Sequence, residues 1–332
     1  MADNQSSDME VDDNESTIVS SSSASTPVLP RLRVLSLFNG IGTGYRALLK
    51  LKFDIEVFYA SEIDEDALML TKYYFSETIT QLGSVSEITT NVLDQIIPIN
   101  LLFGGSPSSD LSEDNNKKKG LFDPTGTGIL FFDYYRIWNY LSLKAAREKT
   151  PFYWFYENLA SMDIENKDII SEYLECQPIV LDSFHFNPQR RKRYIWSNFP
   201  RITMLPDIQK LKYVNNAPKL DDNLEKNLDR QANVECVGTI TSKRSCLQDN
   251  KSGDPVCQDG QYTSLFITEI EEIFGLPQHF TDVADLSIST RQKLLRRAFS
   301  GQVIVDVLDL LSGKFAKKKS EEKSEEESDL SQ

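Results

Sequence analysis

The sequence predicts a doubly wound α/β domain, with a mostly parallel sheet covered by helices on both faces. Three observations carry that expectation. Short apolar runs recur along the chain, helical stretches separate them, and a glycine-rich or polar cluster follows nearly every run. In sheets of this kind ligands bind at the carboxyl ends of the strands, so the clusters are where function is expected.

Leu32 to Phe38 reads as the first strand, followed by the turn Asn39-Gly40-Ile41-Gly42-Thr43-Gly44 and a helix from Tyr45 to Lys52. Val57 to Ser61 is the second strand and ends at Glu62; Asp66 to Phe75 reads as a helix. Gln81 to Val85 is a short third strand and Ile99 to Phe103 a fourth, which opens into Gly104-Gly105-Ser106-Pro107-Ser108-Ser109-Asp110. Phe152 to Tyr156 is the fifth, closed by Glu157-Asn158.

With 332 residues and 40% hydrophobic content, the chain can bury one large α/β core plus a small lobe. No apolar run approaches the ~18 residues a bilayer requires, so no membrane association is expected. The N-terminus lacks the basic-then-apolar pattern of a secretion signal. Cys176, Cys236, Cys246 and Cys257 form no C-x-x-C pair, which points away from a zinc module and towards a reducing compartment.

The formal net charge is −14, of which residues 1–30 contribute −6 and residues 314–332 contribute −1. An acidic body still permits nucleic-acid binding through local basic patches, with weak unaided affinity. Residues 1–30 are too poor in large apolar groups to repay ordering entropy, so they and the charged tail 314–332 are expected to be disordered.

A glycine turn lets the backbone approach a ligand closely, and the next helix N-terminus favours polar or anionic groups. Glu62, about 20 residues on, is placed to accept ribose hydroxyls. Its alternative is an acid that complements the helix dipole. Gln189-Arg190-Arg191-Lys192-Arg193 is a basic cluster suited to phosphate. Lys117 to Lys119 and Lys243-Arg244 are further candidate DNA contacts, or merely solvated charge.

RVLSLFNGIGTG, YASEID, GGSPSSDLS, FFDYYR, FYWFYENLASM, RRKRYIW, EIEEIFGLPQHFTDV and RQKLLRRAFS occur in this order. Together they resemble the catalytic domain of the de novo class of animal DNA cytosine-5 methyltransferases, from about Arg31 to Leu311. The resemblance implies a Rossmann-like, S-adenosylmethionine-dependent methyltransferase fold over residues 31–313. Residues 31–199 would form the core, 200–260 a target-recognition lobe, and 261–313 the return to the core.

It also implies that S-adenosylmethionine is held by Phe38, Asn39, Gly40, Ile41, Thr43, Glu62, Ile63, Ser84, Val85, Arg297 and Phe299. The base to be methylated leaves the helix stack. Glu157 would engage its N3, with Arg191 and Arg193 steadying the base and Asn158 positioning the catalytic loop. Phe131, Phe132 and Tyr135 would form a face for self-association or for a heteromer with an active methyltransferase. Double-stranded DNA is the implied substrate and the nucleus the implied location.

Four positions depart from the family pattern. Ser108 stands in place of the nucleophilic Cys, Asn39 and Ser84 in place of acids, and Phe299 in place of a Trp. Ile288 also stands where the family often presents an Arg. A thiol with a pKa near ~8.5 yields useful thiolate at neutral pH, whereas a hydroxyl needs an adjacent base. Neither His185 nor His279 lies near Ser108 in sequence. The expected function is therefore a catalytically impaired homologue acting as an accessory partner, with S-adenosylmethionine binding weakened. The alternatives are an active cytosine-5 methyltransferase and a cofactor-free DNA or chromatin scaffold.

Overall fold

The structure, a computed structural model, describes residues 28–113, 115–215, 218–240 and 254–318. The chain order is β1 (Leu32–Leu37), α1 (Thr43–Lys50), β2 (Ile55–Ser61), α2 (Glu65–Phe75), β3 (Ile79–Gln81), α3 (Thr90–Ile96), β4 (Leu101–Gly104) and α4 (Leu130–Glu148). It continues through β5 (Tyr153–Leu159), α5 (Ile164–Tyr173), β6 (Ile179–Asp182), β7 (Lys192–Ser197) and α6 (Leu205–Asn215). After α6 come β8 (Arg230–Ala232), β9 (Val256–Gln258), β10 (Gln261–Thr263), α7 (Ile267–Ile273), α8 (Ile288–Arg297) and α9 (Gly301–Asp309).

Seven strands form one sheet in the order β3-β2-β1-β4-β5-β7-β6. Strands β1 to β5 run parallel, and β7 is antiparallel to both neighbours. Successive side chains on a strand point to opposite faces, and here both faces are covered. Leu32, Val34, Leu101, Phe103 and Phe155 meet α1 and α9 on one side. Leu35, Leu37, Leu102, Trp154 and Tyr156 meet α3 and α4 on the other. That double burial is why the strands read as unbroken apolar runs.

A separate antiparallel sheet, β10-β9-β8, packs with α7 and α8 against Ile41, Ala67 and Leu70. Helix α6, by contrast, contacts β6 and sets Leu205 into the core beside the main sheet. Arg230 and Glu269 close the small sheet onto α7 as a fully buried ion pair of 2.7 Å.

Several expectations need correction. The third strand ends at Gln81, and Ser84 instead caps a short 3-10 turn, Val85–Glu87, by accepting from the Ser86 amide. Strand β5 runs on through Glu157 and Asn158, because β7 pairs alongside and satisfies its backbone. Phe131 is wholly buried in the core, so it cannot present an interface. The charged tail does not begin at 314: Phe315 is buried, Lys317 bridges Phe53, and the Ala316 amide donates to Pro30. Residues 1–27 and 319–332 lie outside the described residues, as do Lys243 and Arg244.

Candidate active site

Strand order reverses between β1 and β4, and the loops leaving these two strands open onto the same crevice. Three glycines set its walls. A Cβ on Gly44 would come 2.5 Å from Phe103, and one on Gly104 would come 2.5 Å from the Leu37 carbonyl oxygen. Gly40 sits at φ +55° with nothing within 4 Å of its Cβ position, so the turn is open above it.

Glu62 closes this turn. Its carboxylate accepts the Gly40 amide at 2.7 Å and the Ile63 and Asp64 amides at 2.8 Å each. Ile63, 69% exposed beside it, offers an apolar surface. The Ser36 hydroxyl donates to Asn39 Oδ1 at 2.9 Å, while Asn39 Nδ2 and Thr43 Oγ1 are buried without partners. Val85 is buried in the core beneath. Phe299 packs on Phe155, and Phe38 takes a left-handed φ of 55° at the strand exit.

Arg297 reaches a different partner. It joins Lys293 on Asp64, at 2.8 Å and 3.1 Å, tying the end of α8 to the start of α2. Burial pushes the Asp64 carboxyl up, but the two cations and the Ala67 amide outweigh it and hold the group below the usual carboxylate range.

Below the loop after β4, the Tyr156 hydroxyl lies 2.6 Å from Ser106 Oγ and accepts from Asn158 Nδ2 at 2.9 Å. Asn158 also donates to the Ser106 carbonyl at 3.3 Å. Burial pushes the Tyr156 phenol up to about 12, so it stays protonated and anchors the loop. Further along, Asp110 accepts the Thr127 amide and hydroxyl at 2.6 Å and 2.8 Å. Sequence reasoning identified Asn158 but missed Tyr156 and Asp110. Tyr156 reads as just another core aromatic until the loop is folded over it.

Glu157 and Arg193 do come together: Arg193 Nε donates to Glu157 Oε1 at 2.8 Å, with both side chains largely buried. Burial lowers the Arg193 pKa, and the adjacent Glu157 charge opposes that shift. Arg191 does not join them. It donates to the Arg296 and Ala298 carbonyls at 3.1 Å and 2.9 Å and stacks on Phe274, holding the end of α8. Burial first and the Arg193 charge second lower its pKa well below the usual value. Ser108 is half-buried on the loop, and its hydroxyl has no hydrogen-bond partner among the described residues. Lys118 is held by Asp163 and Lys119 by Thr125.

The sheet order is that of the Rossmann-like α/β fold shared with solved methyltransferase structures. More narrowly, the profile of the C-5 cytosine-specific DNA methylase family matches residues 32–201, and the chain belongs to that family. The chain is 31% identical over 176 residues to the orphan methyltransferase M.Rho11sI of Bacillus phage rho11s, covering 50% of this chain and 32% of that protein. It is 24% identical over 125 residues to the human DNA (cytosine-5)-methyltransferase 3-like protein, covering 37% and 30%. The matched stretch thus spans about a third of these relatives' length. The solved structure of the S. pombe Dnmt2 methyltransferase shares the fold, with a TM-score of 0.59 at 14% identity over 85% of this chain and 99% of that one.

Membership implies S-adenosylmethionine, and the residues present fit it. The buried Asn39 amide and Thr43 hydroxyl lack partners, Ile63 presents an apolar face, and Gly40 leaves room for close approach. Glu62 Oε2 carries one hydrogen bond and has a lone pair to spare.

Proposed function

We propose that this chain is a homologue of the de novo class of DNA cytosine-5 methyltransferases whose own methyl transfer is impaired. It acts as an accessory partner of an active methyltransferase on double-stranded DNA in the nucleus. The observation that carries this reading is the Ser108 hydroxyl, half-buried and without a hydrogen-bond partner among the described residues.

Cytosine C5 is a poor nucleophile and becomes reactive only after a nucleophile adds at C6. A serine hydroxyl stays protonated at neutral pH unless a base takes its proton. Among the described residues no base is hydrogen-bonded to the Ser108 hydroxyl. Glu157 is bound to Arg193, the Tyr156 phenol is itself kept protonated by burial, and Asp110 is engaged by Thr127. Glu157 would still receive the base at N3, with Arg193 fixing the carboxylate. Asn39, Thr43, Glu62 and Ile63 would hold S-adenosylmethionine, which supplies the electrophilic methyl group.

Phe132, Tyr135, Tyr173 and Phe122 form a partly exposed aromatic face on α4 and its neighbours, which suits the heteromer. The preserved Glu157–Arg193 pair favours one second reading, that the chain is itself an active cytosine-5 methyltransferase.

Tritiated-methyl transfer to cytosine-rich duplex DNA tests the proposal, comparing wild type with Ser108→Cys. Silence in the wild type with activity in Ser108→Cys is the expected result. Robust wild-type transfer, abolished by Glu157→Ala, would establish the second reading instead.

A further inference from the structure

Strand β6 lies at the edge of the main sheet, with β7 as its sole strand neighbour among the described residues. Beside it a cavity of about 550 Å³ is lined by Ile179, Val180, His185, Pro206, Gln209 and Lys210, among others. Gln209 on α6 is wholly buried, yet neither its amide nitrogen nor its oxygen has a hydrogen-bond partner. His185 Nδ1 is likewise buried and unpaired. A carboxamide deprived of both bonds is costly unless something completes it.

Three cations, Arg190, Lys192 and Lys210, line the same cavity. Its one acid, Asp182, is engaged by the Phe184 and Arg191 amides. Lys210 also pairs with Asp207, but at 3.6 Å on the surface, where such pairs count for little.

The register of β6 decides what fits. The Ser183 amide donates to Arg191, so alternate residues along β6 point their amides towards β7. Val180 and Asp182 therefore turn their backbone groups outward, to the unpaired edge, and Val180 is 44% exposed. An open strand edge, a buried carboxamide with donor and acceptor both free, and a cationic rim match a peptide backbone bearing acidic side chains.

We propose that the groove between β6 and α6 binds an extended acidic peptide segment of a partner protein, which adds as a strand to β6. Its backbone pairs with Val180, one of its amide groups with Gln209, and its carboxylates with Lys192, Lys210 and Arg190.

Fluorescence anisotropy of a labelled peptide of alternating glutamate and valine tests this on the full chain. Wild type is expected to bind saturably. Val180→Pro removes an amide that the sheet does not use, so binding should fall on the order of tenfold or more with no change in melting temperature. Gln209→Leu and the double variant Lys192→Glu, Lys210→Glu should weaken binding similarly, with circular dichroism confirming the fold of each. If Gln209→Leu does not fold, the other two variants decide. Absence of saturable binding by wild type would overturn the proposal. So would binding undiminished by Val180→Pro. Tight binding of duplex DNA that depends on Lys192 and Lys210 but ignores Val180→Pro, with no peptide bound, would assign the cations to phosphate and overturn it as well.

Discussion

The Glu157 carboxylate, held at 2.8 Å by Arg193, lies directly over Gly105, where a Cβ would come within 2.8 Å of Glu157 Oε2 and 2.7 Å of the Glu157 carbonyl oxygen. The loop after β4 and the acid on β5 are thus fitted to each other without a spare atom. Gly105→Ala should cost about 1–3 kcal/mol through overpacking. Urea unfolding of wild type and variant measures it; a loss below about 0.5 kcal/mol would mean that the loop shifts freely.

Tyr156 joins Ser106 to Asn158. Tyr156→Phe leaves both partners short of a bond inside the core and should cost about 1–3 kcal/mol. The phenol also predicts an alkaline effect. Its folded pKa, raised to about 12, exceeds the unfolded value near ~10, so the native state keeps the proton longer. This contribution is fully present below about pH 10 and is lost as pH rises towards about 12. Stability of wild type should therefore approach that of Tyr156→Phe over that window, followed by chemical denaturation at each pH.

Asp64 predicts an acidic counterpart. Its folded pKa is depressed, so the α2–α8 tie is present above the unfolded carboxylate value near ~3.9 and fades as pH falls through the folded one. The stability gap between wild type and Asp64→Asn should be constant near neutrality and close on acidification below about pH 4. A gap unchanged down to pH ~2 would show that Lys293 and Arg297 do not act through the Asp64 charge.

Arg230 and Glu269 are both fully buried, and Glu269 also accepts the Glu225 and Phe266 amides. Glu269→Ala strands a buried guanidinium and two amides, for an expected loss of about 3–5 kcal/mol. Replacing both charged partners by apolar residues should recover much of it. Thermal unfolding of the single and double variants separates the two cases.

Much of the main sheet was legible because each strand is buried on both faces and so is continuously apolar, as in Leu101-Leu102-Phe103. The end of β5 was not. Glu157 and Asn158 look like a strand terminus until β7, distant in sequence, pairs beside them. Ser84 and Val85 misled in the opposite sense, since Gly83 at φ +77° turns the chain out of the strand. Phe131 and Phe132 are adjacent letters in one motif, yet helical geometry buries the first and leaves the second near the surface.

By itself the sequence determined the alternation of strands and helices, the glycine turn, the acid at the end of β2 and Ser108 on the loop after β4. These are local properties, set by side-chain type and spacing. Tertiary structure alone decided which charges meet: Arg193 with Glu157, Arg191 with the carbonyls closing α8, Arg297 with Asp64. It also decided that Gln209 is buried without a partner beside an open strand edge. Two arginines separated only by Lys192 look equivalent in sequence. Only the packing of α8 against one and of β5 against the other gives them different partners, because electrostatic pairing depends on distance in space and on burial.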